Sequence, residues 1–125
     1  MSADIGLTLD AVHLAMNLEQ TRARMAAHNI ANANVPGSRG MRLNVSEPLA
    51  QLRTALTDPA LLAQSLQALR DSDLQQYQQP MALDAPLALD DEVAEMSAAS
   101  GRYQALADGV SRQFGLMQLA MRGGR

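Results

Sequence analysis

Between residues 93 and 121 the chain sets Val93, Met96, Ser100, Tyr103, Ala107, Val110, Phe114, Met117 and Met121 in unbroken three-four alternation. Four heptads of that spacing draw one stripe along one side of a helix, and a stripe of that length is buried only against another long helix. Asp90 or Asp91 can cap the start, Glu92 and Glu95 suit the positive end of the helix dipole, and Arg122 with Gly123-Gly124 suits the other end. About 30 residues rising 1.5 Å each predict a rod of roughly 45 Å.

The N-terminal part offers the partner. Leu9, Val12, Met16, Ala23, Ala26 and Ile30 form one seam, interrupted only by Glu19. Leu7, Ala11, Leu14, Leu18, Thr21, Met25 and His28 form a second along a neighbouring face. Two seams on one helix require more than one partner helix. Helical backbone is expected to fail near Asn34, because Val35 precedes Pro36 and the proline ring disfavours the α region there. Pro36-Gly37 suits the central positions of a type II turn.

Only three aromatics, Tyr77, Tyr103 and Phe114, occur in 125 residues, and alanine, leucine and methionine carry the apolar load. A large self-sufficient interior is not expected from such material, and the fold class it indicates is all-α: long N- and C-terminal helices paired as a coiled coil around an irregular, partly helical middle. Three segments follow: 1–37, a helix ending in an Asn-Pro-Gly junction; 38–88, the middle; and 89–125, the second long helix. Gly101, Gly109 and Gly115 lie inside that second helix, each costing roughly 1 kcal/mol against alanine. With the small run Ser97-Ala98-Ala99-Ser100-Gly101 they leave two readings open, a helix ordered by close neighbours or a mildly unstable helix in an ordinary bundle.

In the middle segment Pro48 can open a short helix to about Thr57, and Asp58-Pro59 supplies a cap and first-turn proline for another to about Leu69. The stretch DSDLQQYQQPMALDAPLALD, broken by Pro80 and Pro86, reads as a loop or linker.

Catalytic chemistry is poorly supplied. There is no cysteine, and the two histidines, His13 and His28, lack the spacing by which a helix binds zinc. Asp90-Asp91-Glu92 with Glu95 could form an acidic site, but a solvated helix start explains the cluster more simply. Phosphate-cradling glycine loops and nucleophile motifs are absent from the sequence. No enzymatic activity, cofactor or metal is expected. The net charge is −3 and the ten cations, all arginine, are scattered, which argues against nucleic acid as partner. Direct membrane insertion is not expected either, since no stretch of about 18 apolar residues occurs. The opening MSADIGLTLD has no cationic start before an apolar run and is not expected to be a secretory signal.

One stretch is more distinctive. Asn29-Ile30-Ala31-Asn32-Ala33-Asn34-Val35-Pro36-Gly37 resembles the motif "NIANANTPG" near the N-termini of bacterial flagellar axial proteins, the rod and hook subunits. Within that group Leu89-Asp90-Asp91-Glu92-Val93-Ala94-Glu95-Met96, Arg102-Tyr103-Gln104-Ala105-Leu106, Ser111-Arg112-Gln113-Phe114 and the closing MRGG resemble the FlgB-type proximal-rod branch. The matching blocks cover roughly residues 9–37 and 87–124. Ser38 stands where the family has an aromatic, Met41-Arg42-Leu43-Asn44 replaces its usual continuation, and Asp84-Ala85-Pro86 replaces a Gly-Asn turn.

The resemblance implies a structural subunit of the flagellar proximal rod in the periplasmic part of the basal body, exported by the flagellar type III system without a cleaved signal. Implied partners are other rod proteins in a homo- or hetero-oligomer, the rod-base adaptor and the export gate. It assigns Asn29, Ile30, Ala31, Asn32, Asn34, Pro36 and Gly37 to an assembly junction. Leu9, Val12, Met16, Val93, Met96, Tyr103, Val110, Phe114 and Met117 become helix-packing seams, one seam facing the helix's own partner and another the next subunit. The alternative from another class is a soluble helical adaptor or type III secretion chaperone that binds partner helices through the same stripes. A third, an acidic hydrolase using Asp90, Asp91 and Glu92, predicts activity lost in Asp91→Asn.

Overall fold

The structure, a computed structural model, describes residues 2–82 and 87–123. Helix α1 spans Ser2–Ala31, strand β1 Met41–Leu43, helix α2 Ser46–Thr54, helix α3 Pro59–Asp71, a 3-10 turn Leu74–Tyr77, strand β2 Gln78–Pro80 and helix α4 Leu89–Gly123. The class is all-α. Two long terminal helices pack lengthwise, and the 35 residues of α4 make a rod of about 52 Å.

The pair is antiparallel: Asn29 of α1 meets Glu92 of α4, Glu19 meets Arg102, and Leu9 and Val12 line one groove with Leu106 and Val110. On α1 the first seam behaves as the alternation predicts, with Leu9, Val12 and Met16 half-buried and Ala26 fully buried. Glu19, the interruption, is buried too, both of its oxygens held by arginines: Oε1 accepts from Arg22 at 2.8 Å and Oε2 from Arg102 at 2.9 Å.

On α4 the buried stripe differs from the expected one. Met96, Tyr103, Ala107, Val110 and Met117 are partly buried as expected, but Glu92, Ala99 and Leu106 join them. Val93 and Phe114 are 44% and 46% exposed, and Ser100 is exposed. Both stripes share every second member, so spacing alone could not choose between them. Ala99, wholly buried, admits the close approach of α1, and Glu92 is drawn inward by its hydrogen bonds.

The second seam of α1 finds its partner within the chain. Leu14, Leu66 of α3 and Leu74 of the 3-10 turn form the buried core, with Leu7, Leu18, Leu52, Leu62, Leu69 and Tyr77 packed against it. The resemblance had given that seam to a neighbouring subunit; here α3 covers it. A 2.6 Å ion pair between Arg70 and Asp10 fastens α3 alongside.

Local rules account for the middle. Asp58 accepts hydrogen bonds from the backbone N–H groups of Ala60 and Leu61, capping α3 with Pro59 in its first turn as expected. Helix α2 starts two residues before Pro48 and stops at Thr54. Part of the stretch read as linker is ordered: Asp73 caps the 3-10 turn, and β2 pairs antiparallel with β1, Met41 opposite Pro80 and Leu43 opposite Gln78. Three-residue strands carry too little alternation to be legible in sequence. Asp90 and Asp91 fall inside the first turn of α4, so neither is its cap. The Asp84-Ala85-Pro86 departure and Gly124 lie outside the described residues.

A Cβ added at Gly101, Gly109 or Gly115 meets nothing within 4 Å. Within the chain, then, these glycines admit no neighbouring backbone. Gly101→Ala, Gly109→Ala and Gly115→Ala are each expected to stabilise the isolated chain by about 0.5–1 kcal/mol, measured by urea denaturation followed by circular dichroism.

Candidate functional site

The Asn-rich segment closes one end of the helix pair. Helix α1 ends at Ala31, and the chain turns through bonds from Asn32 N–H to the His28 carbonyl (3.1 Å) and from Val35 N–H to the Asn32 carbonyl (3.1 Å). Ser38 N–H then donates to the Val35 carbonyl at 3.1 Å across Pro36-Gly37, with Gly37 at φ +79°. That is the type II turn the sequence predicts, and its third position needs a glycine or asparagine.

The turn delivers the backbone to β1, where Asn29 receives it. Asn29 is 1% exposed; its Oδ1 accepts from Met41 N–H at 2.9 Å and its Nδ2 donates to the Met41 carbonyl at 3.0 Å. The ladder bonds from Asn44 N–H to Tyr77 and from Met81 N–H to Gly40 leave Met41 in a pair whose N–H and C=O point away from β2. A third strand would normally take up those two groups. The Asn29 amide takes its place at Met41. On the far edge Pro80 has no N–H, and the Gln78 N–H is already bonded to the Gln75 carbonyl.

The second Nδ2 hydrogen of Asn29 goes to Glu92 Oε2 at 3.0 Å, and Glu92 Oε1 accepts from Arg42 at 2.5 Å. Glu92 is 1% exposed. Three segments far apart in sequence thus meet at one fully hydrogen-bonded cluster: the end of α1, strand β1 and the start of α4. Burial pushes the Glu92 carboxyl up, but the hydrogen bonds from Arg42 and Asn29 and the Arg42 charge outweigh it, leaving the pKa below its ordinary 4.5. The cluster's geometry suits clamping rather than turnover, since each polar atom of Asn29 and Glu92 is engaged with a protein partner.

The other members of the motif play smaller parts. Asn32 Nδ2 adds a second hydrogen bond, at 2.9 Å, to the His28 carbonyl that its own N–H already reaches. Ile30 is half-buried, and Ala31, Asn34, Pro36 and Gly37 are exposed. Sequence reasoning missed three contributors. Glu92 was expected in solvent, Arg42 reaches it from 50 residues away, and Gly40 is buried where a Cβ would meet the Met81 sulfur and Leu87 Cδ1. Of these only Glu92 carried a signal: it begins the alternative stripe through Met96, Ala99 and Tyr103.

Beside the junction, Thr21, Arg24, Met25 and His28 of α1 face Met41, Gln75 and Gln78 across a cleft of about 330 Å³. Among the described residues no group of three histidine, aspartate or glutamate side chains could hold a metal ion, and no helix is long and apolar enough to cross a membrane. Comparison with protein-family models, curated proteins and solved structures gives no match.

Removing Asn29 leaves the Met41 N–H and one Glu92 oxygen without partners, while the Met41 carbonyl keeps its hydrogen bond from Arg42 at 3.1 Å, so Asn29→Ala is expected to cost about 2–3 kcal/mol in urea denaturation. The pH dependence has a fixed sign. A carboxyl whose pKa is lowered on folding stabilises the protein above its unfolded value, and that stabilisation is lost as pH falls through the folded value. Glu92→Gln is therefore expected to be less stable than the parent at neutral pH and to lose less stability on acidification below about pH 4.5, compared by denaturation midpoints across the range.

Proposed function

We propose that this chain is a structural subunit of the bacterial flagellar proximal rod, contributing to assembly and torque transmission rather than to catalysis. Two features support the reading. The first is the resemblance of residues 29–37 to the flagellar axial motif. The second, which carries the proposal, is an asymmetry in the helix pair. It is closed by the Asn29–Glu92 cluster at one end, while toward the other Phe114, Leu116, Leu119 and Met121 are 46% to 77% exposed on α4.

Large apolar side chains left exposed on the last turns of one helix, Phe114 and Met121 on one side and Leu116 and Leu119 on the other, gain from being covered, at roughly 25 cal/mol for each Å² removed from water. Since α3 fills the second seam of α1, outward contacts are assigned to α4, where Val93 also lies exposed. In this reading neighbours are other rod proteins and further copies of the chain, with the rod-base adaptor and export gate met on the way. The place of action is the periplasmic rod, reached through type III export without a cleaved signal.

A soluble adaptor or chaperone would use the same exposed side chains but remain in the cytoplasm, so fractionation separates the two. The chain is expected to co-purify with detergent-resistant basal bodies. Leu119→Asp and Phe114→Asp should abolish that association while changing the stability of the isolated chain by less than about 0.5 kcal/mol. Recovery of both variants in basal bodies, or of the parent only in the cytoplasm, would overturn the proposal.

A further inference from the structure

We propose that the cleft between α1 and the 3-10 turn binds a carboxylate carried on a short apolar body. Arg24, Met25 and His28 share one face of α1 with Thr21, three to four residues apart. Gln75 and Gln78 form the opposite wall, and Met25, almost wholly buried, lies at the base. The volume of about 330 Å³ is at the small end of the range for ligand sites.

The charge pattern selects the ligand. Arg22, Arg42, Arg70 and Arg102 are each committed to a carboxylate of this chain. Arg24 is in no ion pair among the described residues, and no aspartate or glutamate lines its cleft. In a chain of net charge −3 this is a local cationic spot with its guanidinium fork free. Such a fork matches a carboxylate through two parallel hydrogen bonds, and the glutamine amides can add donors from across the cleft. Asn32 steadies the His28 side of the wall: its Nδ2 donates to the His28 carbonyl at 2.9 Å and lies 3.3–3.4 Å from the ring nitrogens.

Below the charged rim the thioether of Met25 is flexible and polarizable, so it can adjust to a few methylene groups. A phosphate dianion fits less well, because one arginine supplies too little charge. Both a small free acid and an acidic side chain of another protein have the required chemistry.

The test is an NMR titration of the full chain with sodium hexanoate, with 1-hexanol as the uncharged control and acetyl-Ala-Glu-Leu amide as a protein-borne carboxylate. Saturable shifts of the Gln75 and Gln78 side-chain amides are expected with hexanoate, with binding weakened about tenfold or more for hexanol and in Arg24→Gln. Thermal unfolding of Arg24→Gln should match the parent. Tighter binding of the peptide would identify a protein-borne carboxylate and tighter binding of hexanoate a free acid; either supports the site. Equal binding of hexanol, unchanged binding by Arg24→Gln, or unsaturable shifts spread over Arg53, Arg112 and Arg122 would overturn it. The cleft belongs to the single chain, so these outcomes are separable from those of the basal-body experiment.

Discussion

The contact on which the arrangement depends is the buried pair Asn29 and Glu92, with the half-exposed Arg42 side chain closing on the carboxylate. Much of the helix pair is lined by apolar residues that could slide past one another by a heptad at modest cost. A carboxylate and an amide buried to 1% exposure cannot follow such a slip without losing their partners. Glu19 and Arg102 repeat the constraint farther along. From Asn29 to Glu19 on α1 and from Glu92 to Arg102 on α4 the chain moves ten residues in opposite senses, so both contacts name the same alignment. Buried polar groups of this kind add little net stability when satisfied and are costly when broken, which makes them devices for fixing register.

That alignment also organises the middle of the chain. Because Asn29 holds both backbone groups of Met41, β1 is fixed to the end of α1, and β2 comes with it through the ladder. The segment between the strands then has to return along α1, and its leucines meet the second seam at Leu14. A single core cluster without aromatics at its centre is enough, since α3 has only one face to cover and Asp58 and Pro59 start it without help from packing. Fold and junction are coupled through one asparagine.

Much of this was legible in the residues. Three-four spacing gave both long helices, the two seams of α1 required two partners, and Pro36-Gly37 specified its turn. What stayed hidden did so for identifiable reasons. Met96, Tyr103, Val110 and Met117 belong to two overlapping stripes, and the choice between Val93 and Glu92 as the next member rests on a partner, Asn29, that is 63 residues distant. The expectation of a solvated acidic helix start follows from local electrostatics alone, and tertiary hydrogen bonding overrides it at Glu92 while Asp90 and Asp91 remain exposed. Strands of three residues offer no periodicity to detect. The Asn-rich segment stands out in the sequence, but the partner of Asn29, the Met41 backbone, has no side-chain signature at all.

The outer side of α4 then poses an energetic question. Three interior glycines where an added Cβ would meet nothing cost the helix about 1 kcal/mol each, a large share of the 5–15 kcal/mol by which domains are stable. Covering Phe114, Leu116, Leu119 and Met121 would return roughly 1.5–3 kcal/mol for each side chain fully buried, which more than offsets that cost. Under the proposed role the two belong together. The glycines weaken the helix in isolation and contact with neighbours would offset that cost, while the Asn29–Glu92 clamp holds its other end in register.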